Sequence, residues 1–323
     1  SSAASDVYKR QIITLINEII YLCSMLYYRR KILLALLEVF GGQLTAKSLQ
    51  KFLFLFTRKQ EIKAFDFVPY KYGCFSFQAN QDIVTLSKYG YVEITTTETG
   101  RYIRLKEKNN YSAELDLFDR QSLASVKTEF GGLSQTDLIR YTYTHYPFYA
   151  TKSSIAAQIL TIEELDKVNA QIKTFAEPML FTIGYESLSL ESYINKLIIN
   201  DVRVLCDVRK NAFSQKYGFS KSQLQQACTR VGIEYIHIPE LGIDSEERQD
   251  LVSQKDYDIL FAKYERTTLK TNETYLTIIL NKIQEKGRVA LTCFEKSPIQ
   301  CHRGRVAKRL MAMPNKKFDL KNL

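Results

Sequence analysis

MLFTIGYESLSLESYINKLIINDVRVLCDV, residues 179–208, decides the fold of the C-terminal half. A short apolar run, Leu180–Ile183, stops at Gly184. Leu188–Ile199 then carries apolar residues at helical spacing. Val202–Val208 follows, almost wholly apolar, as a strand covered on both faces must be. The same alternation continues to the end of the chain. Lys221–Val231 reads as a helix closed by Gly232, Tyr235–Ile238 as a strand, and Asp256–Tyr264 and Glu273–Lys286 as helices, the second stopped by Gly287. Arg288–Phe294 reads as a strand and His302–Met313 as the last helix. This order predicts an α/β, Rossmann-like domain over residues 179–323: a mainly parallel sheet flanked by helices.

Open sheets of this kind bind ligands beyond the carboxyl ends of their strands. The polar residues that follow each expected strand are therefore the candidate site. Tyr185 and Glu186 follow the first, and Asp207, Arg209, Asn211 and Ser214 lie at or after the second. His237 ends the third, and Glu295, Cys301, His302 and Arg303 follow the fourth. Two of the chain's 3 histidines fall among them.

These residue types permit more than one chemistry. Cys301 is a candidate nucleophile, because an adjoining imidazolium and a helix N-terminus both favour thiolate. Asp207, His237, Glu295 and His302 are candidate acids or bases, while Arg209 and Arg303 can grip a phosphate or carboxylate. Tyr185, Glu186, Asn211 and Ser214 complete the expected ligand-binding set, with Tyr185 and Phe219 as aromatic rim residues. A cysteine-phosphatase loop would place Arg where Ala307 stands, which argues against that class. In an alternative reading Glu295 or Asp207 is the working group. Cys293, Cys301, His302 and His237 contain zinc-ligand types, but Cys293 lies within an apolar strand and its spacing to Cys301 matches no standard pair, so neither a metal nor a cofactor is expected. The opposing class is a binding module without catalysis, in which Asp207, Arg209, Glu295 and Arg303 neutralise one another.

The N-terminal half has a different pattern. Tyr28–Phe40 has helical spacing and is stopped by Gly41-Gly42, and Thr45 is a good N-cap for a second apolar-striped helix. Gln78–Lys88 fits a third helix, and Tyr91–Thr96 and Arg101–Lys106 alternate about a turn. Three helices and a hairpin predict a winged-helix-like α+β domain over residues 25–160. Leu160–Glu177 reads as an amphipathic connector ended by Pro178, giving a linker at 161–178. The third helix offers Gln78, Asn80, Gln81 and Lys88 with Asp82 among them, a thin set for reading DNA. His145, in an aromatic-rich segment, is expected to be packed in a core. SSAASDVYKRQ, residues 1–11, looks foreign; residues 1–24 are expected to be a non-native or upstream extension, with Met25 as the true start.

The chain has 323 residues and a formal net charge of +10, which permits an anionic partner without requiring one. Its 6 cysteines form no regular framework, and no apolar run reaches membrane-spanning length. A reducing cytosol is the expected setting, with no membrane contact.

Two family resemblances accompany these patterns. LTAKSLQKFLFLF (Leu44–Phe56), FVPYKYGCFS (Phe67–Ser76) and GGLSQTDLIRYTYTHYPFYA (Gly131–Ala150) look like the antitoxin-type domain called Panacea. TIGYESLSLESYI (Thr182–Ile194), VLCDVRKNAFSQKYGFS (Val204–Ser220), GIEYIHIPELG (Gly232–Gly242) and LTCFEKSPIQCHRGRVAKRL (Leu291–Leu310) are similar to the family called domain of unknown function 488. The second resemblance implies a fold and a residue set without an activity. Together they imply, by analogy, a bacterial regulatory or defence setting. The thin base-reading set favours a protein partner over DNA at the N-terminal domain, and Arg209 and Arg303 with the basic C-terminal helix point to a phosphorylated ligand, nucleotide or nucleic acid at the C-terminal one.

Overall fold

The computed structural model describes residues 26–248, 251–314 and 316–323. The expectation for residues 1–24 and Met25 lies outside them. Along the chain come α1 (Tyr28–Val39), β1 (Gln43–Thr45), α2 (Ala46–Lys59), β2 (Val68–Tyr70), β3 (Gly73–Phe75), α3 (Phe77–Lys88), β4 (Val92–Thr97), β5 (Gly100–Leu105), α4 (Leu117–Phe130), α5 (Gln135–His145), α6 (Ala156–Ile159) and α7 (Ile162–Asn169). The second half adds β6 (Met179–Gly184), α8 (Leu190–Ile199), β7 (Val204–Asp207), α9 (Lys221–Arg230), β8 (Glu234–His237), α10 (Gln254–Arg266), α11 (Thr268–Thr271), α12 (Glu273–Lys286), β9 (Arg288–Cys293), α13 (His302–Met311) and β10 (Asp319–Asn322).

Contacts divide the chain into two units. The described residues up to Phe65, with Ala79–Leu133, form one; Asp66–Gln78 and Ser134–Leu323 form the other. The first unit is mixed α+β, with helices and an antiparallel sheet in the order β1-β5-β4. Thr45 caps α2 by accepting from the Ser48 backbone N–H. In α1 the run Ile32–Leu37 is completely buried, which explains why its apolar pattern wraps round the helix. Asp82 of α3 is buried and accepts hydrogen bonds from Arg29 and Arg30.

The second unit is built on a fully parallel five-stranded sheet, order β10-β6-β9-β7-β8. Side-chain alternation gives it two apolar faces. Leu180, Val204, Cys206, Val289 and Leu291 point to one, covered by Leu260 and Phe261 of α10, Ile279 and Ile283 of α12 and Val306 and Leu310 of α13. Phe181, Ile183, Leu205 and Ala290 point to the other, covered by Tyr193 and Leu197 of α8 and Leu224 and Ala227 of α9. Gly287, at φ 79°, ends α12 in the left-handed conformation that glycine adopts without strain.

Several local expectations differ from the structure. The strands of the β2–β3 hairpin have 3 residues each, too few to show a period, and the edge strand β10, DLKN, is exposed and lacks an apolar run. The hairpin packs with the sheet's second core through Val68, Tyr70 and Phe75. The expected helix over 160–177 covers only Ile162–Asn169, started by a capping box of Thr161 and Glu164. Beyond it, the Phe175 N–H donates to Asp201, the Phe175 carbonyl accepts from Arg203, and the Glu177 carbonyl accepts from Arg288. These tertiary bonds claim backbone groups that a longer helix would need. His145 is exposed and stacks on Tyr141 instead of lying in a core.

Candidate site at the carboxyl ends of the strands

The sheet register sets Asp207 beside His237 on one neighbour and beside Thr292 on the other. The chain leaves β7 through Val208 and Arg209, and these two residues organise the site. Arg209 donates to Asp207 from Nε (2.8 Å) and Nη2 (2.5 Å), and its backbone N–H donates to the same carboxylate. Tyr235 donates its hydroxyl to Asp207 at 2.7 Å, and Arg209 Nη1 donates to the Tyr185 hydroxyl at 2.7 Å. Asp207, Arg209 and Tyr185 are all buried. Burial works to lower the Arg209 pKa, but the bonds to Asp207 and Tyr185 outweigh it and raise it. Burial, reinforced by the Asp207 charge, raises the Tyr235 hydroxyl pKa.

The two backbone carbonyls at this corner each hold a histidine. His237 Nε2 lies 2.9 Å from the Arg209 carbonyl oxygen, and His302 Nε2 lies 2.7 Å from that of Val208. A carbonyl only accepts, so both rings carry their proton on Nε2 when neutral and keep a lone pair on Nδ1. For His302 that nitrogen is 3.6 Å from Cys293 Sγ. Cys293, Cys301 and His302 are all buried, with donor atoms within 4.8 Å of one another. Cys293 Sγ is also 3.3 Å from Glu295 Oε2.

Cys301 occupies the N-cap position of α13. Burial, with a further contribution from neighbouring Cys293, pushes its thiol well above the ordinary range; His302 pulls the other way and is outweighed. Arg303 is 1% exposed. Its guanidinium donates to the backbone carbonyls of Glu295 and Lys296, so it braces the loop after β9. Glu186, exposed, accepts from the Lys296 N–H and ties the loop after β6 to the same segment.

The structure therefore joins Tyr185, Asp207, Arg209 and His237 in one bonded chain, and His302, Cys293 and Glu295 in a second, with Cys301 beside it. The two chains meet at the Val208–Arg209 backbone. Asn211 and Ser214 lie on the loop after β7, where their side chains accept from the Phe213 and Lys216 backbone N–H groups. The expected aromatic rim is different. Tyr185 and Phe219 are 2% and 0% exposed and stack on each other at 4.2 Å, whereas Phe213 is 71% exposed. Tyr235, Lys216 and Lys210 were not among the expected residues. Lys216 donates to the carbonyls of Tyr185 and Glu186, a role that no spacing in the sequence signals.

Beside His237 is an open pocket of about 540 Å³, lined by Lys210, Asn211, Ala212, Phe213, Ser220, Lys221, Ser222, Gln225 and His237. The N-terminus of α9 forms one wall. Ser220 is its N-cap and makes no side-chain cap bond, and its first turn holds no acidic residue. No acidic side chain lines the pocket, although Lys210 Nζ lies 3.9 Å from the exposed carboxylate of Asp244.

Residues 189–310 match the family described as Domain of unknown function DUF488. The DUF488 match takes in β7, β8, β9 and most of α13, and with them every candidate residue except Tyr185 and Glu186. It assigns none of them a role. No curated protein and no solved structure matches the chain. Among the described residues, no helix is long and apolar enough to cross a membrane.

Proposed function

We propose that the second unit is a cytosolic enzyme domain that binds a phosphorylated ligand carrying an aromatic base, a nucleotide or the end of a single-stranded nucleic acid. The observation that supports this reading is the open pocket beside His237. Lys210 and Lys221 supply positive charge, the α9 N-terminus supplies backbone N–H groups and a favourable dipole, and Asn211, Ser220, Ser222 and Gln225 supply neutral hydrogen bonds. Phe213 offers an exposed ring on which a base stacks. His237 is the proton acceptor in this reading, since its Nε2–H is committed to Arg209 and Nδ1 keeps the lone pair. Asp207 and Arg209 serve as the frame, their polar groups satisfied by each other and by Tyr185 and Tyr235.

Calorimetry with nucleoside mono- and triphosphates and a short oligothymidylate tests the proposal. Binding is expected to weaken as salt rises and to fall at least tenfold in a Lys210→Ala/Lys221→Ala variant. His237→Ala is expected to retain binding and lose turnover. Equal affinity in the double-lysine variant, or no heat from any of these anions at millimolar concentration, refutes it. A His237→Ala variant that binds normally, beside a wild type that turns over no bound ligand, favours an anion-sensing module in place of an enzyme.

The first unit supports a second, separate role as a winged-helix, antitoxin-like module that contacts a protein. Its element order α1-β1-α2-α3-β4-β5 favours the winged-helix reading. The third helix carries one lysine, and its Asp82 is bound to Arg29 and Arg30, so it is poorly equipped to read base edges. Sequence-selective retention of duplex DNA by the full chain would reverse this preference.

A further inference from the structure

We propose that Cys293, Cys301 and His302 supply three ligands of a zinc site. Cys293 ends β9, Cys301 caps α13 and His302 opens it, and the intervening loop returns the chain so that all three donors fall within 4.8 Å of one another. Three soft or borderline donors in a buried cluster suit zinc better than a hard cation. The distances fit. Tetrahedral zinc with ordinary Zn–S and Zn–N bonds separates sulfur from nitrogen by roughly 3.5 Å, and His302 Nδ1 is 3.6 Å from Cys293 Sγ.

The surroundings match those of a metal-binding imidazole. A ligating histidine normally donates its other N–H to a carbonyl or carboxylate, which fixes the tautomer and aims the lone pair. His302 Nε2–H donates to Val208 at 2.7 Å, leaving Nδ1 toward the sulfurs. A pair of thiols buried only for packing does not call for an aligned imidazole lone pair. Glu295 Oε2, 3.3 Å from Cys293 Sγ, is not among the three donors that lie within 4.8 Å of one another. Zn²⁺ with two thiolates and a neutral imidazole carries no net charge. The centre would pin the loop after β9 to the start of α13, independently of the pocket beside His237.

Cobalt titration of the reduced, chelator-treated full chain tests this. One equivalent of Co²⁺ is expected to produce a thiolate-to-cobalt charge-transfer band with tetrahedral d–d bands, and one equivalent of Zn²⁺ is expected to abolish both. Cys293→Ser/Cys301→Ser is expected to lose the charge-transfer band, and His302→Gln to weaken binding at least tenfold. If those variants fail to fold, the wild-type titration still decides. Absence of the band at one equivalent overturns the proposal. So does a charge-transfer band that survives in the double-cysteine variant.

Discussion

Asp207 and Arg209, two residues apart on the same strand end, form a buried bidentate pair with bonds of 2.8 and 2.5 Å. Asp207 also accepts from Tyr235 and from a backbone N–H, and Arg209 also donates to Tyr185. Removing one partner leaves the other charged and buried. Asp207→Ala is therefore expected to cost about 3–5 kcal/mol of stability. Asp207→Leu combined with Arg209→Met should cost clearly less than the single change, because no charge is stranded. Urea unfolding of the three proteins checks this; a double variant weaker than Asp207→Ala would contradict it.

The thiols allow a kinetic test that does not depend on metal. Burial pushes Cys206 up to about 12 and raises Cys301 well above the ordinary range. Reaction requires thiolate and access. In the metal-free native protein, alkylation of Cys301 at neutral pH is expected to be no faster than that of Cys206, and both should react quickly only in denaturant. Peptide mapping after timed alkylation reads both sites in one experiment. Selective labelling of native Cys301 would restore it as a nucleophile.

The sheet was legible because its strands are buried on both faces, which leaves runs such as VLCD that only a central strand accommodates. The convergence of Asp207, Arg209, His237, Glu295 and His302 followed from one topological rule. What the sequence hid is how these groups are used. Nothing local signals that Arg209 folds back onto Asp207, that Arg303 is consumed by two carbonyls, or that Tyr185 is buried beneath Phe219 while Phe213 faces outward. The Cys293–Cys301 spacing looked irregular because the loop between them, not a repeat, closes the gap. The β2–β3 hairpin was invisible for a similar reason. Its strands have 3 residues each, and its stability comes from partners more than 100 positions away.

Those partners give a pH prediction. Glu191 accepts from Ser76 Oγ at 3.1 Å and from the Gln78 N–H at 2.8 Å, tying the end of the hairpin segment to α8. Burial raises the Glu191 carboxyl above its ordinary 4.5, outweighing these bonds. The folded protein thus holds this proton more tightly than the unfolded chain. Its stabilising contribution is complete below the unfolded value and is lost as pH rises through the folded one. Glu191→Gln should remove that fall and melt no lower than wild type at neutral pH. Glu191→Ala, which leaves the Gln78 N–H without this acceptor, should cost about 1–3 kcal/mol. Thermal melts of the three proteins from pH 4 to 8 check both; a Glu191→Gln variant that is markedly weaker at neutral pH would show that the carboxylate itself is required.

Gly184 tests the coupling between the two loops that frame the site. A Cβ there would overlap the carbonyl oxygen of Glu295 and crowd the backbone of Lys296. Those atoms are fixed from three sides. Arg303 holds the carbonyls of Glu295 and Lys296, Glu186 holds the Lys296 N–H, and the Phe294 carbonyl accepts from Tyr185 and Glu186. The loop therefore has little freedom to yield, and overpacking against rigid backbone costs about 1–3 kcal/mol or more. Gly184→Ala is expected to fall in that range and to displace Glu295, whereas Gly132→Ala, with open space around its added methyl, should be close to neutral. If both glycines tolerate alanine equally in urea unfolding, the loop after β9 is far less constrained than its hydrogen bonds imply, and the fixed position of Glu295 beside Cys293 loses its support.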